Sequence, residues 1–534
     1  MTALAEIDDL SSLVSRAAAR WPDRTAWVFD ETGTSLTFDD VARQSARLAG
    51  ALADYGISAG DRVAVMLRNR PEFPLLWLAL ARIGAAIVPV NTNYREVDGG
   101  HVLAHSGARL AVVEPEFTDL LARIRSATAL ERVLTPDDVG PAAGVSWHES
   151  TTESTATSGI GLAARGDAGT AVPEQPVNIQ YTSGTTGAPK GCVLPHRYWV
   201  TLARGLVTDF PAISDADTLI TAQPFHYIDP QWNVALGLAS GATLVVLDRF
   251  HPSTFWQKVR EYDVTWFYCL GLMPTLLLRQ PEHPDDRRHH VRAIHASAIP
   301  RDVHAALEQR WGVPWYEAFG MTETGADIRM SEADHDALVG SGCIGRPTRD
   351  REAVILGEGG LPLPRGETGE LALRGTGLML RYHDDPNATE RAFRGGWFHT
   401  GDLATMDEHG LVYYVGRTKD MIRRSGENVS ADEVERTLQQ HPDISLAAVI
   451  AVPDEVRGEE IKAFVVPSGD ANPKPDELAE FCSSKLAYFK VPRFWAIVDS
   501  LPTTPSERVA KGQLRGNDGD ALARTYDRVE QSWR

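Results

Sequence analysis

The chain has 534 residues, of which 43% are hydrophobic and 23% charged, and it carries a formal net charge of -19. Such a length exceeds what a single core organises, so two or more globular domains are expected. The acidic balance excludes a general nucleic-acid or anionic-membrane binder, whose footprint would be basic, but leaves room for a local cationic pocket.

The opening MTALAEIDDL has neither a basic n-region nor an apolar h-region, so no export signal is expected. Ser11 to Trp21 reads as an amphipathic helix, Ala26–Phe29 and Ser35–Phe38 as a hairpin, and FDDVARQSARLAGALADYG as a helix leading to the strand DRVAVML. The longest apolar stretch, Pro74 to Val90, is broken by Arg82, Gly84 and Pro89, which predicts a helix running into a buried strand and no membrane span. ARLAVVE and ERVLT continue an α/β alternation with parallel sheet. Gly140 to Gln175 is rich in Gly, Ala, Ser and Thr and reads as a long exposed loop. TLITAQPFHYI, ATLVVLD, VTWFYCLG and VRAIHASAIP each pair a strand with a loop, and ligands collect at such C-terminal strand ends. Near Gly345 the texture turns to short β segments, and after Arg417 a smaller α/β pattern begins, with a boundary at Thr418 to Asp420. The last residues, from Gly516, read as a polar, mobile tail. Cys192, Cys269, Cys343 and Cys482 are too widely spaced for a CxxC site and fit a reducing cytoplasm.

The stretch YTSGTTGAPKG, Tyr181 to Gly191, sits between two candidate strands. Gly184, Gly187 and Gly191 allow a tight turn whose N–H groups converge on one concavity, an arrangement that binds anions. The hydroxyls of Thr182, Ser183, Thr185 and Thr186 add donors, and Lys190 adds a mobile positive charge. The spacing is not that of a Walker loop, and the competing reading is a solvated Gly/Thr hairpin.

This loop is followed in order by YEAFGMTETG (Tyr316 to Gly325), WFHTGD (Trp397 to Asp402), GRTKDMIRRSGENVSADEVE (Gly416 to Glu435) and LPTTPSERVAKGQLR. Together they resemble the adenylate-forming superfamily of acyl-CoA synthetases, aryl-CoA ligases, luciferases and adenylation domains. The texture is closest to acyl-CoA ligases of the crotonobetaine/carnitine type. The resemblance implies an α/β fold: a large N-terminal domain of mixed and parallel sheets with a β-rich subdomain, residues 1–418, and a small mobile α+β domain, residues 419–534. It implies ATP, Mg2+ and coenzyme A as cofactors, a small carboxylic acid as substrate, a monomer or homodimer, and a cytoplasmic enzyme. The reaction implied is attack of a carboxylate on the α-phosphate of ATP, releasing pyrophosphate, then displacement of AMP by a thiol; its physics is the management of negative charge.

By that resemblance Glu323 is a Mg2+ ligand, Thr322 lies beside the phosphate and Phe319 against adenine. Asp402 accepts hydrogen bonds from the ribose hydroxyls with Arg417 beside it, and Lys419 is the hinge about which the small domain turns. Ser425, Gly426 and Glu427 belong to a loop that faces the site when the thiol enters.

One departure stands at the C-terminus. The family ending has a lysine that bridges carboxylate and α-phosphate; here Glu507 and Arg508 replace the usual Gly-Lys pair. Arg508 takes over the lysine's work, or Lys511 reaches in, or the acid needs the contact less. For the acid, His226 resembles an aromatic gate, and Tyr227, Asp229, Trp232, Gly271, Ser297 and Met321 are candidate pocket residues. Tyr227, Trp232 and Asp229 suit a cationic or hydrogen-bonding group, while a stripe at that spacing also reads as core. Ala296, Ser297 and Ala298, where many relatives have a Gly-Gly pair, predict a narrowed floor and a small or flat acid. Besides the CoA ligase, the changed lysine position keeps open an enzyme that adenylates an unusual oxyacid and passes it to an amine.

Overall fold

The computed structural model describes residues 3–142, 173–182, 189–297, 299–424, 427–454, 457–503, 509–515 and 524–533. Most of the loop expected from Gly140 to Gln175 therefore lies outside the described residues. Local signals set the first elements as the sequence predicts. Asp9 accepts the Ser12 N–H at 2.8 Å to cap the helix Leu10–Arg20, and Thr37 with Asp40 forms a capping box on the helix Phe38–Asp54.

Two large sheets carry the first four hundred residues. A thirteen-stranded sheet runs from Arg351–Leu356 at one edge to Thr34–Thr37 at the other, and a seven-stranded sheet from Arg381–Tyr382 to Arg132–Leu134. Neither is wholly parallel. Trp266–Cys269, Ala293–Ala296 and Trp315–Met321 are parallel neighbours, but Trp315–Met321 turns back on Gly325–Arg329 antiparallel, and Pro176–Thr182 pairs antiparallel with Lys190–Pro195. Buried polar bonds link the sheets through the helices between them. The Trp77 indole N–H donates to Asn178 at 2.8 Å, Asn178 donates to Gln231 at 2.7 Å, and Gln231 donates to Gln180 at 3.2 Å. Because an unmade bond at such depth costs about 1–3 kcal/mol, this chain fixes the strand Pro176–Thr182 against the helix Ile228–Ser240.

From Val412–Arg417 the chain passes through the single turn Thr418–Asp420 into Met421–Arg424, the start of a third sheet with its own core around Ile422, Val434, Leu438, Val449 and Trp495. The polar C-terminus is not a free tail in its last described part. Tyr526–Asp527 pairs with Phe494–Ile497, and Ser532–Trp533 pairs with Tyr526–Asp527. Side-chain bonds add to that pairing: the fully buried Asp527 takes two bonds from the Arg493 guanidinium, at 3.0 and 2.9 Å, and the Tyr526 hydroxyl donates to Asp476 at 3.0 Å. Asp527→Ala removes two bonds of the Arg493 guanidinium and leaves it Asp454 at 3.2 Å, so urea unfolding followed on the third sheet is expected to lose about 1–3 kcal/mol.

Candidate active site

The strand Trp315–Met321 leaves the thirteen-stranded sheet and turns at once into Gly325–Arg329, with Thr322 and Glu323 at the bend. The bend is as tight as glycine permits: a Cβ on Gly320 would sit 1.9 Å from the Gly325 carbonyl oxygen. Behind it Arg351 and Asp327, both buried, pair at 2.7 Å. The Thr324 hydroxyl donates to Asp327, and Arg351 also donates to the carbonyls of Thr324, Thr376 and Gly377. These bonds tie the bend to the segment carrying Met379, whose N–H donates to the Glu323 carbonyl at 2.8 Å.

The Glu323 side chain is itself buried, at 8% exposure, and accepts the Tyr382 hydroxyl at 2.9 Å. Burial raises its pKa, and the phenol and the Arg417 charge pull the other way. Arg417 and Asp402 stand opposite each other on the antiparallel strands Phe398–Met406 and Val412–Arg417, with Nε 3.0 Å from Oδ1 and Asp402 only 1% exposed. Asp402 is the main cause that holds Arg417 above the usual guanidinium value, and Glu323 adds to it. Glu323, Asp402 and Arg417, from motifs far apart in the chain, thus share one electrostatic neighbourhood. The loop stem joins them: Thr182 pairs with Lys190, and the Lys190 ammonium lies 5.1 Å from the centroid of the Tyr382 ring. A buried carboxylate met by a neutral phenol, near one arginine, is a fitting hard-oxygen ligand for Mg2+.

Ser183, Gly184, Thr185, Thr186 and Gly187 lie outside the described residues, as do Ser425, Gly426, Ala298 and Arg508. Lys419 falls in the turn Thr418–Asp420, and Glu427 begins the strand Glu427–Ser430. Lys511 is engaged within the C-terminal part of the chain: its ammonium is 2.7 Å from Glu435 and 4.0 Å from Asp420. Burial pushes the Glu435 carboxyl up to about 7.

The expected acid wall divides. His226 is 4% exposed, its ring packs on Tyr227 at 4.5 Å, and neither ring nitrogen has a hydrogen-bond partner among the described residues. Burial lowers its pKa to about 3, so the ring is neutral. Trp232 is core: it packs edge-on to Trp266 and Tyr268 at 5.9 and 5.5 Å, and its N–H points to Asp229 at 3.3 Å. The Ser297 hydroxyl is used within the fold, donating to the Ala318 carbonyl at 2.8 Å and touching the Tyr268 hydroxyl. Tyr227, Asp229, Gly271 and Met321 remain partly exposed, and Phe319 packs beside the cluster around Ile328 and Leu371.

Asp327, Arg351, Tyr268 and Tyr382 are absent from the sequence-derived set. The one signal for Asp327 was its place just past the TETG bend, and for Tyr268 its place in the strand VTWFYCLG; Arg351 and Tyr382 lie outside the quoted stretches. Among the described residues one further group has metal-ligand chemistry, His304, Glu308 and His335. There the Gly340 N–H donates to His304 Nδ1 at 3.2 Å, so Nε2 carries the proton, which goes to the Trp315 carbonyl at 2.7 Å. That tautomer offers no lone pair at Nε2, and the group is a hydrogen-bonded clasp at the base of the Glu323 strand.

Tyr382→Phe removes the donor to Glu323 without opening a cavity. Affinity for Mg·ATP, measured by calorimetry, is expected to fall about tenfold while the melting temperature stays within a few degrees.

The sequence profile of the AMP-binding enzyme family matches residues 14–383, and that of the AMP-binding enzyme C-terminal domain matches residues 433–508. A crotonobetaine/carnitine–CoA ligase of Salmonella paratyphi B is 34% identical over 513 residues, covering 93% of this chain and 97% of that one. The protein of the same name from Salmonella typhi is 33% identical over 512 residues, with the same coverage of 93% and 97%. The crystal structure of ATP-bound MatB from Rhodopseudomonas palustris superposes with a TM-score of 0.83 at 27% identity, covering 96% of this chain and 99% of the other.

Proposed function

The chain belongs to the AMP-binding enzyme family and is an AMP-forming acid–CoA ligase using ATP, Mg2+ and CoA, and from that premise we propose which residues divide the work and which acid is activated. Residues 1–418 bind ATP and the acid, and residues 419–534 form the lid, turning at Lys419. The loop from Thr182 to Lys190 holds the β- and γ-phosphates, Asp402 takes the ribose hydroxyls with Arg417 beside it, and Phe319 borders adenine. Glu323 holds Mg2+, which supplies positive charge against the phosphates. Tyr382 aims the Glu323 carboxylate, and Thr322 donates at the α-phosphate.

The observation that carries this reading is the meeting of Glu323, Asp402 and Arg417 around one buried spot. Adenylation brings two anions together, and fixed donors and cations in a dry site are what lower that barrier. Lys511 is already neutralised by Glu435 at 2.7 Å, which favours Arg508 as the cation at the reacting carboxylate. Ser425, Gly426 and Glu427 line the entry of the CoA thiol.

The acid we assign is small. Trp232 and Ser297 are committed to the fold, and the Cβ atoms of Ala296 and Ser297 narrow the floor, while Asp229 and Tyr227 keep exposed surface. A ring face with a carboxylate attracts a cation, which together with the relatives' names puts short acids bearing a quaternary ammonium first. Pyrophosphate release should be measured across crotonobetaine, carnitine, malonate, benzoate and long-chain fatty acids, with and without CoA. Release for the short betaines that turns over only with CoA is expected; robust turnover of long fatty acids alone would overturn the small-acid reading. Release sustained by an amine without CoA would make the enzyme an amide-forming one. Arg508→Ala is expected to lower adenylate formation at least a hundredfold, and Lys511→Ala far less.

A further inference from the structure

The two stems of the glycine-threonine turn are gripped from outside the sheet. Among the described residues the ladder between Pro176–Thr182 and Lys190–Pro195 reaches the pair Thr182–Lys190, and groups on both stems find partners outside it. The helix Glu96–Ser106 supplies them with two histidines one turn apart. His101 Nε2 is 3.0 Å from the Pro189 carbonyl, which only accepts, so this nitrogen donates. His105 Nδ1 lies 2.7 Å from the Tyr181 hydroxyl on the other stem. The two imidazoles stack with centroids 5.4 Å apart, and the edge of Tyr181 meets both.

A third histidine closes the ring. The His383 N–H donates to the Gly191 carbonyl at 2.7 Å, and its Nε2 donates back to the His105 carbonyl at 3.1 Å. Gly191 has no room to yield, since a Cβ there would lie 2.8 Å from Ile179 and 3.2 Å from the Tyr181 ring. His383 follows Tyr382 directly, and Tyr382 both underlies Lys190 and donates to Glu323. Burial, with His101 next to it, lowers the pKa of His105, which suits a neutral hydrogen-bonding ring.

We propose that His101, His105 and His383 are positioning residues: a clasp on Tyr181, Pro189 and Gly191 that fixes Lys190 and Tyr382 relative to Glu323. The clasp therefore serves nucleotides that carry β- and γ-phosphates and is indifferent to AMP. This rests on the proposed phosphate-holding role of the Thr182–Lys190 loop.

The test is equilibrium binding of Mg·ATP and of AMP to the full chain, with the melting temperature recorded for each variant. The double variant His101→Ala, His105→Ala is expected to bind Mg·ATP about tenfold more weakly and AMP within about twofold of the parent. In the double variant His101→Gln, His105→Asn an amide stands where each bonding ring nitrogen was, and Mg·ATP affinity is expected to return to within about threefold. Unchanged Mg·ATP binding in the alanine variant would overturn the clasp. So would an equal loss of ATP and AMP in both variants with a lowered melting temperature, which marks a merely structural role. A parent protein that binds neither nucleotide overturns the ligase reading itself, and is told apart because the parent already fails.

Discussion

The burial of the Glu323 carboxylate is the constraint on which the rest of the site depends. A charge placed at 8% exposure needs compensation, and no cation touches it among its described contacts. Its direct donor is a phenol at 2.9 Å, and the nearest positive influence, Arg417, is committed first to Asp402. Such a carboxylate is held in a state that a cation would relieve. That is an electrostatic condition that favours a divalent cation with hard-oxygen ligands.

Holding the carboxylate there requires a rigid support, and two buried polar clusters supply it from opposite sides. The Arg351–Asp327 pair braces the bend from behind, and the His304–Glu308–His335 clasp fixes the base of its strand through the Trp315 backbone. Glu308 accepts the Trp315 N–H at 2.8 Å and lies 2.8 Å from His335 Nε2; burial alone would raise its pKa, but His304, His335 and the Trp315 N–H together bring it down to about 2. Buried ionic groups of this kind add little net stability over apolar ones, but each leaves an exacting geometric demand on its neighbours. One cluster holds the Trp315–Met321 strand at its base and the other holds the bend that follows it.

Much of this was legible in the sequence and some was not, for physical reasons. The helices and strands of the first hundred residues follow from periodicity and capping, because local signals there agree with burial. Asp402 and Arg417 are placed together by the resemblance of WFHTGD and GRTKD to the family's motifs, and the strands that carry them do pair. Asp327 and Arg351 could not, because a buried ion pair joins positions with no local signature. Trp232 shows the opposite limit: its helical spacing reads more readily as core than as pocket, and the Trp266 and Tyr268 rings decide for core. The C-terminus, read as a mobile tail on its polar composition, is docked in its last described part by strand pairing, by Tyr526 in the core and by Asp527 buried against Arg493.

The same logic bears on the turn at Thr418–Asp420. Asp420 receives Arg515 at 3.1 Å and has Lys511 at 4.0 Å, while Lys511 bonds Glu435 at 2.7 Å, so the C-terminal cations converge on the segment just past Arg417. Burial lifts Glu435 to about 7 even with Lys511 beside it. A carboxyl so placed takes up a proton readily, and departure of Lys511 would leave a neutral acid behind, which is far less costly to bury than a bare charge. The Lys511 contact therefore holds the C-terminal segment near the turn without locking it.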